Sequence, residues 1–227
     1  CTIDLRMQGR YRDALGLVHD GRIPWTRTVR SGLPLDRVNA ALLDMEMGRP
    51  ATAAAEYSRL AAEAGRGSAP EGAKSRAMVW RLTLSATASA LDGDTVRVRS
   101  LVDSVELIGH RSLYPRDPLL HHFLRGMLLS EAGENEAAVR ELRAAISSPT
   151  QGYTRINYEM GRSLLASNRA AEAVPILRAA LHGSADGLGA YVTRTELHEL
   201  LARAFAATGQ RDSATTHYSM VERAWRG

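Results

Sequence analysis

A glycine, an alanine five residues later and an apolar residue four beyond that recur along this chain, and little else in the sequence restricts the fold as tightly. Gly9, Ala14 and Val18 fit this pattern. So do Gly48, Ala53 and Tyr57; Gly133, Ala138 and Leu142; and Gly209, Ala214 and Tyr218. Two sets are degenerate: Gly93 leads to Val98 and Val102, and Asn168 stands ahead of Ala173 and Leu177. A helix–turn–helix unit explains the spacing. The glycine ends the first helix, where the backbone turns left-handed, and asparagine is the residue next best able to do so. The small residue then faces the first helix where the two cross, and the bulkier one a turn later fills a groove.

A second small residue lies seven positions before each turn: Ala41, Ala86, Gly126, Gly161 and Ala202. This places another close contact on the first helix. Composition agrees, since the chain is 44% hydrophobic but only 5% aromatic and rich in Ala and Leu, which favours closely packed helices over strands. Local signals set boundaries. Asp117-Pro118 reads as an N-cap followed by proline at the first helical position, and Pro50 likewise opens a second helix. The stretches Gly65 to Gly72, His110 to Arg116 and Gly183 to Gly189 read as connectors. Pro175 falls inside an expected helix and should remove a hydrogen bond and bend it.

These residues resemble the tetratricopeptide repeat (TPR) family, with degenerate repeats of a bacterial type. In the best unit, Met160-Gly161, Leu164, Asn168, Ala173, Leu177 and Ala180-Leu181 match the family positions. Gly126, Leu129, Gly133, Ala138, Leu142 and Ala145-Ile146 match in the preceding unit, and Leu201-Ala202, Phe205, Gly209, Ala214, Tyr218 and Val221 in the last. Asp44 and Ser89 depart from it, because the family prefers an aromatic there. The resemblance implies an all-α, right-handed superhelical solenoid of antiparallel helix pairs. It implies one array over residues 1–227, with units near 1–33, 34–72, 73–117, 118–153, 154–190 and 191–227. Successive turn markers lie 39, 45, 40, 35 and 41 residues apart, against a family period of about 34, so the junctions carry insertions.

Chemistry is harder to find. Seven histidines are present, but His121 and His122 are adjacent and point apart on a helix, and no zincin spacing occurs. A single cysteine makes neither a disulfide nor a zinc knuckle. No phosphate loop or nucleophile elbow is present, so we expect no enzyme, cofactor or metal. Lys74 is the only lysine among 29 basic residues, which reflects either gene base composition or a surface for carboxylates and phosphates. A net charge of +4 is too weak to argue for nucleic acid. No stretch is long and apolar enough to cross a membrane. Both ends look cut, so we expect a region of a longer protein, or open ends covered by a partner. Cys1 is read as an arbitrary boundary, with a lipid-bearing cysteine as the alternative. A cytoplasmic location is favoured over the cell envelope.

In the family, the first helices line a concave face that takes peptides or partner segments. Carried over residue by residue, that face comprises Phe123, Met127, Glu131, Arg155, Tyr158, Arg162, Leu165, Glu199 and Arg203. Tyr158 between two arginines is a candidate anchor for an acidic or C-terminal peptide, unless both arginines pair with acidic neighbours. Arg162→Glu is expected to weaken a partner without unfolding the chain. The implied function is a protein-interaction module. Two alternatives stand: the C-terminal sensor or regulatory arm of a bacterial transcription regulator or kinase, and a peripheral subunit of a larger, membrane-attached assembly.

Overall fold

Left-handed turns recur where the glycine markers stand. In the computed structural model, which describes residues 5, 10–20, 35–145, 154–182 and 192–226, φ is +76° at Gly48, +79° at Gly93, +78° at Gly133, +58° at Asn168 and +77° at Gly209. Each turn closes the same way. The amide after the marker reaches the carbonyl five residues back: Arg49 to Asp44 at 2.8 Å, Glu134 to Leu129 at 2.9 Å, Arg169 to Leu164 at 2.8 Å. This satisfies carbonyls that a helix end would otherwise leave bare.

The described residues contain helices and no strand. They fall into two compact units, Cys1–Asp117 and Pro118–Gly227. The first holds α1 (Tyr11–His19), α2 (Leu35–Glu46), α3 (Pro50–Arg66), α4 (Glu71–Leu91) and α5 (Thr95–Gly109). The second holds α6 (Leu120–Glu131), α7 (Asn135–Ala145), α8 (Thr154–Ala166), α9 (Ala170–His182), α10 (Arg194–Ala207) and α11 (Arg211–Arg226). Consecutive helices pack as antiparallel pairs about the left-handed turns: α2 with α3, α4 with α5, α6 with α7, α8 with α9, and α10 with α11.

The small residues sit where the helices cross. Ala53, Ala138 and Ala173 are fully buried, and Ala214 nearly so. On the first helices the demand is stricter. A Cβ at Gly126 would lie 2.6 Å from Leu142 Cγ, and one at Gly161 would lie 2.5 Å from Leu177 Cδ2. Leu142 and Leu177 are themselves fully buried, so neither can swing away. Burying each leucine contributes on the order of 2 kcal/mol. In the first unit Ala41, Leu42, Tyr57, Leu60 and Leu84 form the core between α2, α3 and α4. Tyr57 brings a hydroxyl into that core and donates it to the Val38 carbonyl at 3.3 Å. Helix α4 is buried on several sides and keeps its polar groups satisfied: Ser85 donates to the Ala54 carbonyl, and Arg81 to that of Leu60.

Two boundaries differ from expectation. Asp117 does not cap a helix through its side chain. Its carboxylate is fully buried and accepts from Trp80 Nε1 at 2.9 Å and from the Ser112 hydroxyl, while Asp117–Leu119 forms a 3-10 turn ahead of α6. Two buried donors outcompete the helix end. The Gly65 to Gly72 connector is shorter than expected, because α3 continues to Arg66 and α4 starts at Glu71. Helix α9 contains Pro175, as expected, and both Pro175 and Ala171, whose carbonyl it deprives of an intrahelical donor, are exposed residues. Pro50 does open α3. Gly9, Ile146, Cys1 and the Gly183 to Gly189 connector lie outside the described residues.

Candidate partner-binding face

Helix α8 carries Arg155, Tyr158, Glu159 and Arg162 within two turns, and the i, i+3 and i, i+4 spacing brings their heads together. Glu159 stands at the centre. Its Oε1 lies 3.0 Å from Arg155 Nε, and its Oε2 lies 2.9 Å from a terminal nitrogen of Arg162. Arg162 then reaches Glu131 on α6 at 2.9 Å. Beneath it, the Ser163 and Ser130 hydroxyls meet at 3.2 Å. Arg162 therefore ties α8 to α6.

This network is charge-balanced but sparsely hydrogen-bonded. Arg155 and Glu159 are 6% and 2% exposed, so their charges interact in a low dielectric. Yet Arg155 Nε, Glu159 Oε2 and Arg162 Nε are buried without hydrogen-bond geometry, as is Asn157 Oδ1. Burial pulls the Arg162 guanidinium down, but Glu159 and Glu131 more than offset this and hold it above its ordinary value. Burial, then the carboxylates of Glu196 and Glu159, push the Tyr158 phenol up to about 12. It stays protonated, a hydrogen-bond donor at any physiological pH.

The nine residues assigned to this face from the sequence differ in burial and pairing. Phe123 and Met127 are 1% and 3% exposed and belong to the core of the second unit, so a partner could meet only the surface above them. Arg155 is buried and committed to Glu159, with its guanidinium 5.7 Å from the Tyr158 ring. Glu131 and Arg162 are partly exposed and paired with each other. Tyr158 and Leu165 are half-buried, and Glu199 and Arg203 are exposed on α10. The structure thus brings Glu131, Arg155, Tyr158 and Arg162 into one cluster around Glu159. Glu159 was not among the expected residues, although its spacing from both arginines was a usable signal.

The second helices carry their own ion pairs. Arg169 contacts Glu136 at 2.6 Å and Glu172 at 2.7 Å, and Arg143 contacts Glu172 at 3.1 Å. Such exposed pairs contribute little to stability, but they occupy several arginines. Among the described residues no group of three His, Cys, Asp or Glu is placed to hold a metal ion. No described helix is long and apolar enough to cross a membrane.

Within each helix pair of both units, the same left-handed turn is followed five residues on by a buried Ala or Val at the crossing. The fold is a TPR-like arrangement of helix pairs. No family model matches the sequence of this TPR-like chain, and no curated protein matches it. Two solved structures are similar, both of nearly identical TPR-like repeats from a kinesin light chain candidate of Podospora anserina. One, a form carrying a Gln-to-Met substitution, is 18% identical with a TM-score of 0.49, and the match covers 87% of this chain and 96% of that one. The other is 18% identical with a TM-score of 0.48, covering 83% and 93%.

Proposed function

We propose that the chain is a protein-interaction module that takes a peptide or protein segment across the first helices of its second unit. The carrying observation is Tyr158. It is half-buried beside the Arg155–Glu159–Arg162 network, and Glu131 on α6 and Glu199 and Arg203 on α10 lie outside the core. A half-buried aromatic ring of low conformational cost with a protonated hydroxyl has the character of an interface anchor. Leu165 adds apolar surface further along the helix, and Glu199 and Arg203 supply exposed charge of both signs. Arg155 and Arg162 already have carboxylates, so at this face they set the position of Tyr158 rather than hold an incoming acid.

Selection of a displayed random-peptide library on the intact chain tests this reading. Enriched peptides should lose roughly tenfold or more in affinity for Tyr158→Ala and Leu165→Asp, with melting temperature little changed. They should bind Arg140→Glu, on the second-helix side, as they bind the parent. Equal binding by all three variants would remove the site from this face.

A further inference from the structure

Arg178 and Arg194, which no described carboxylate pairs, lie elsewhere in the second unit. Where α9, α10 and α11 meet, Arg178, His182, Arg194, His198 and His217 line one groove, with Leu181 and Met220 as its apolar floor. No described carboxylate lines this groove or pairs with Arg178 or Arg194. Both arginines and His182 are exposed. This contrasts with the face around Tyr158, where Glu159 and Glu131 neutralise the arginines.

At the base of the groove, the Nδ1 atoms of His198 and His217 are 2.8 Å apart, so one ring donates and the other accepts. The rings lie 5.0 Å apart, and His217 also leans on Phe205 at 5.4 Å, while Arg178 lies over the other approach to Phe205 at 5.2 Å. No described residue hydrogen-bonds either Nε2. The pair is held neutral by its surroundings. Burial, then His217, Arg194 and His182, push His198 down to about 4; burial and Arg178 lower His217. All the charged and titratable groups that α9, α10 and α11 turn toward this groove are bases. Such a site repels a metal cation and attracts an anion, and its apolar floor asks for a ligand with an apolar side chain as well.

We propose that this groove binds an acidic peptide segment, its carboxylates on Arg178 and Arg194 and an apolar side chain on Leu181 and Met220. Arg178 and Arg194 come from two helices and offer planar donor forks suited to carboxylates. The histidine pair makes binding pH-dependent. A bound carboxylate favours an imidazolium: the added proton goes to Nε2 of the donor ring, whose Nδ1–H still donates to the other ring. Binding therefore takes up a proton, and affinity rises as pH falls. This site does not depend on the face around Tyr158.

A fluorescently labelled peptide of alternating Glu and Leu is the probe, with the Gln/Leu peptide as its control, followed by anisotropy on the full chain. The Glu/Leu peptide should bind, and Arg178→Glu or Arg194→Glu should weaken it roughly tenfold or more while leaving melting temperature unchanged. Affinity should rise several-fold between about pH 7.5 and about pH 5.5, and replacing both His198 and His217 with Gln should flatten that rise. Leu165→Asp should leave all of this intact, which separates the groove from the first-helix face. The proposal is overturned if the Glu/Leu peptide does not bind, if the Gln/Leu peptide binds as well, or if neither Arg→Glu change weakens it. It is equally overturned if a single-stranded oligonucleotide displaces the peptide at lower concentration than the unlabelled peptide does.

Discussion

Asn168 occupies a left-handed backbone conformation, with φ at +58°, where four other turns of the chain use glycine. That substitution was readable beforehand, because a positive φ is a demand of the local backbone and asparagine meets it at modest cost. The glycines at the crossings obey a different constraint, which is space. Gly161→Ala would put a methyl group 2.5 Å from Leu177 Cδ2 and 2.6 Å from its Cγ, in a site with no exposure. We expect it to cost about 1–3 kcal/mol in denaturant unfolding. Leu177→Ala in the same chain should make the added methyl nearly harmless, a coupling that a double-mutant cycle reads directly. The histidine pair gives a pH signature at this scale. His198 is lowered from 6.5 to about 4, so the unfolded chain binds the proton more readily. Its contribution to stability is present above the unfolded value and is lost as pH falls through that window. After discounting for the partial exposure of the ring, the loss is on the order of 1–2 kcal/mol. Denaturant midpoints should fall between about pH 6.5 and about pH 4.5, and replacing both His198 and His217 with Gln should reduce the slope. Carboxylates held below their usual range act only at lower pH; Glu56 is one, where burial pulls upward but hydrogen bonds from Arg59 and Arg37 outweigh it.

At the scale of the element, helix α8 shows where sequence reading stops. Arg155, Tyr158 and Arg162 share a face, and that much follows from helical periodicity. Which neighbours their charges meet depends on how α8 lies against α6. The sequence left both outcomes open, and the structure shows the arginines paired, with Glu159 buried between them. This changes the expected effect of Arg162→Glu. The substitution would set a third carboxylate beside Glu159 and Glu131, so it should destabilise the chain by about 2 kcal/mol or more rather than act on a partner alone. Arg162→Gln, which keeps a donor, should cost less; thermal unfolding of the two variants distinguishes these cases. Asp117 teaches the same lesson. Local rules assigned Asp117 to a helix cap, and tertiary donors from Trp80 and Ser112 took it instead.

At the scale of the molecule, the helix-pair architecture was legible because its signal is repeated: the same two kinds of contact recur from pair to pair, so a degenerate copy is read by its neighbours. The candidate sites were less legible because each is assembled from helices whose relative placement no single segment encodes. The groove at Arg178 and His198 is an example, built from three helices with no shared motif. The uneven spacing of the markers now has a location. Between Gly133 and Ala138, or Asn168 and Ala173, the count never varies, whereas the 67–70 and 110–116 connectors between pairs differ in length. A single extra residue inside a pair would swing the second helix by about 100° and aim its alanine away from the crossing. Extra residues at 67–70 would merely lengthen a bridge between finished parts. The chain is in this sense already divided into pieces that can be respaced, and a foreign epitope or linker spliced at 67–70 should leave every hinge and crossing as it was.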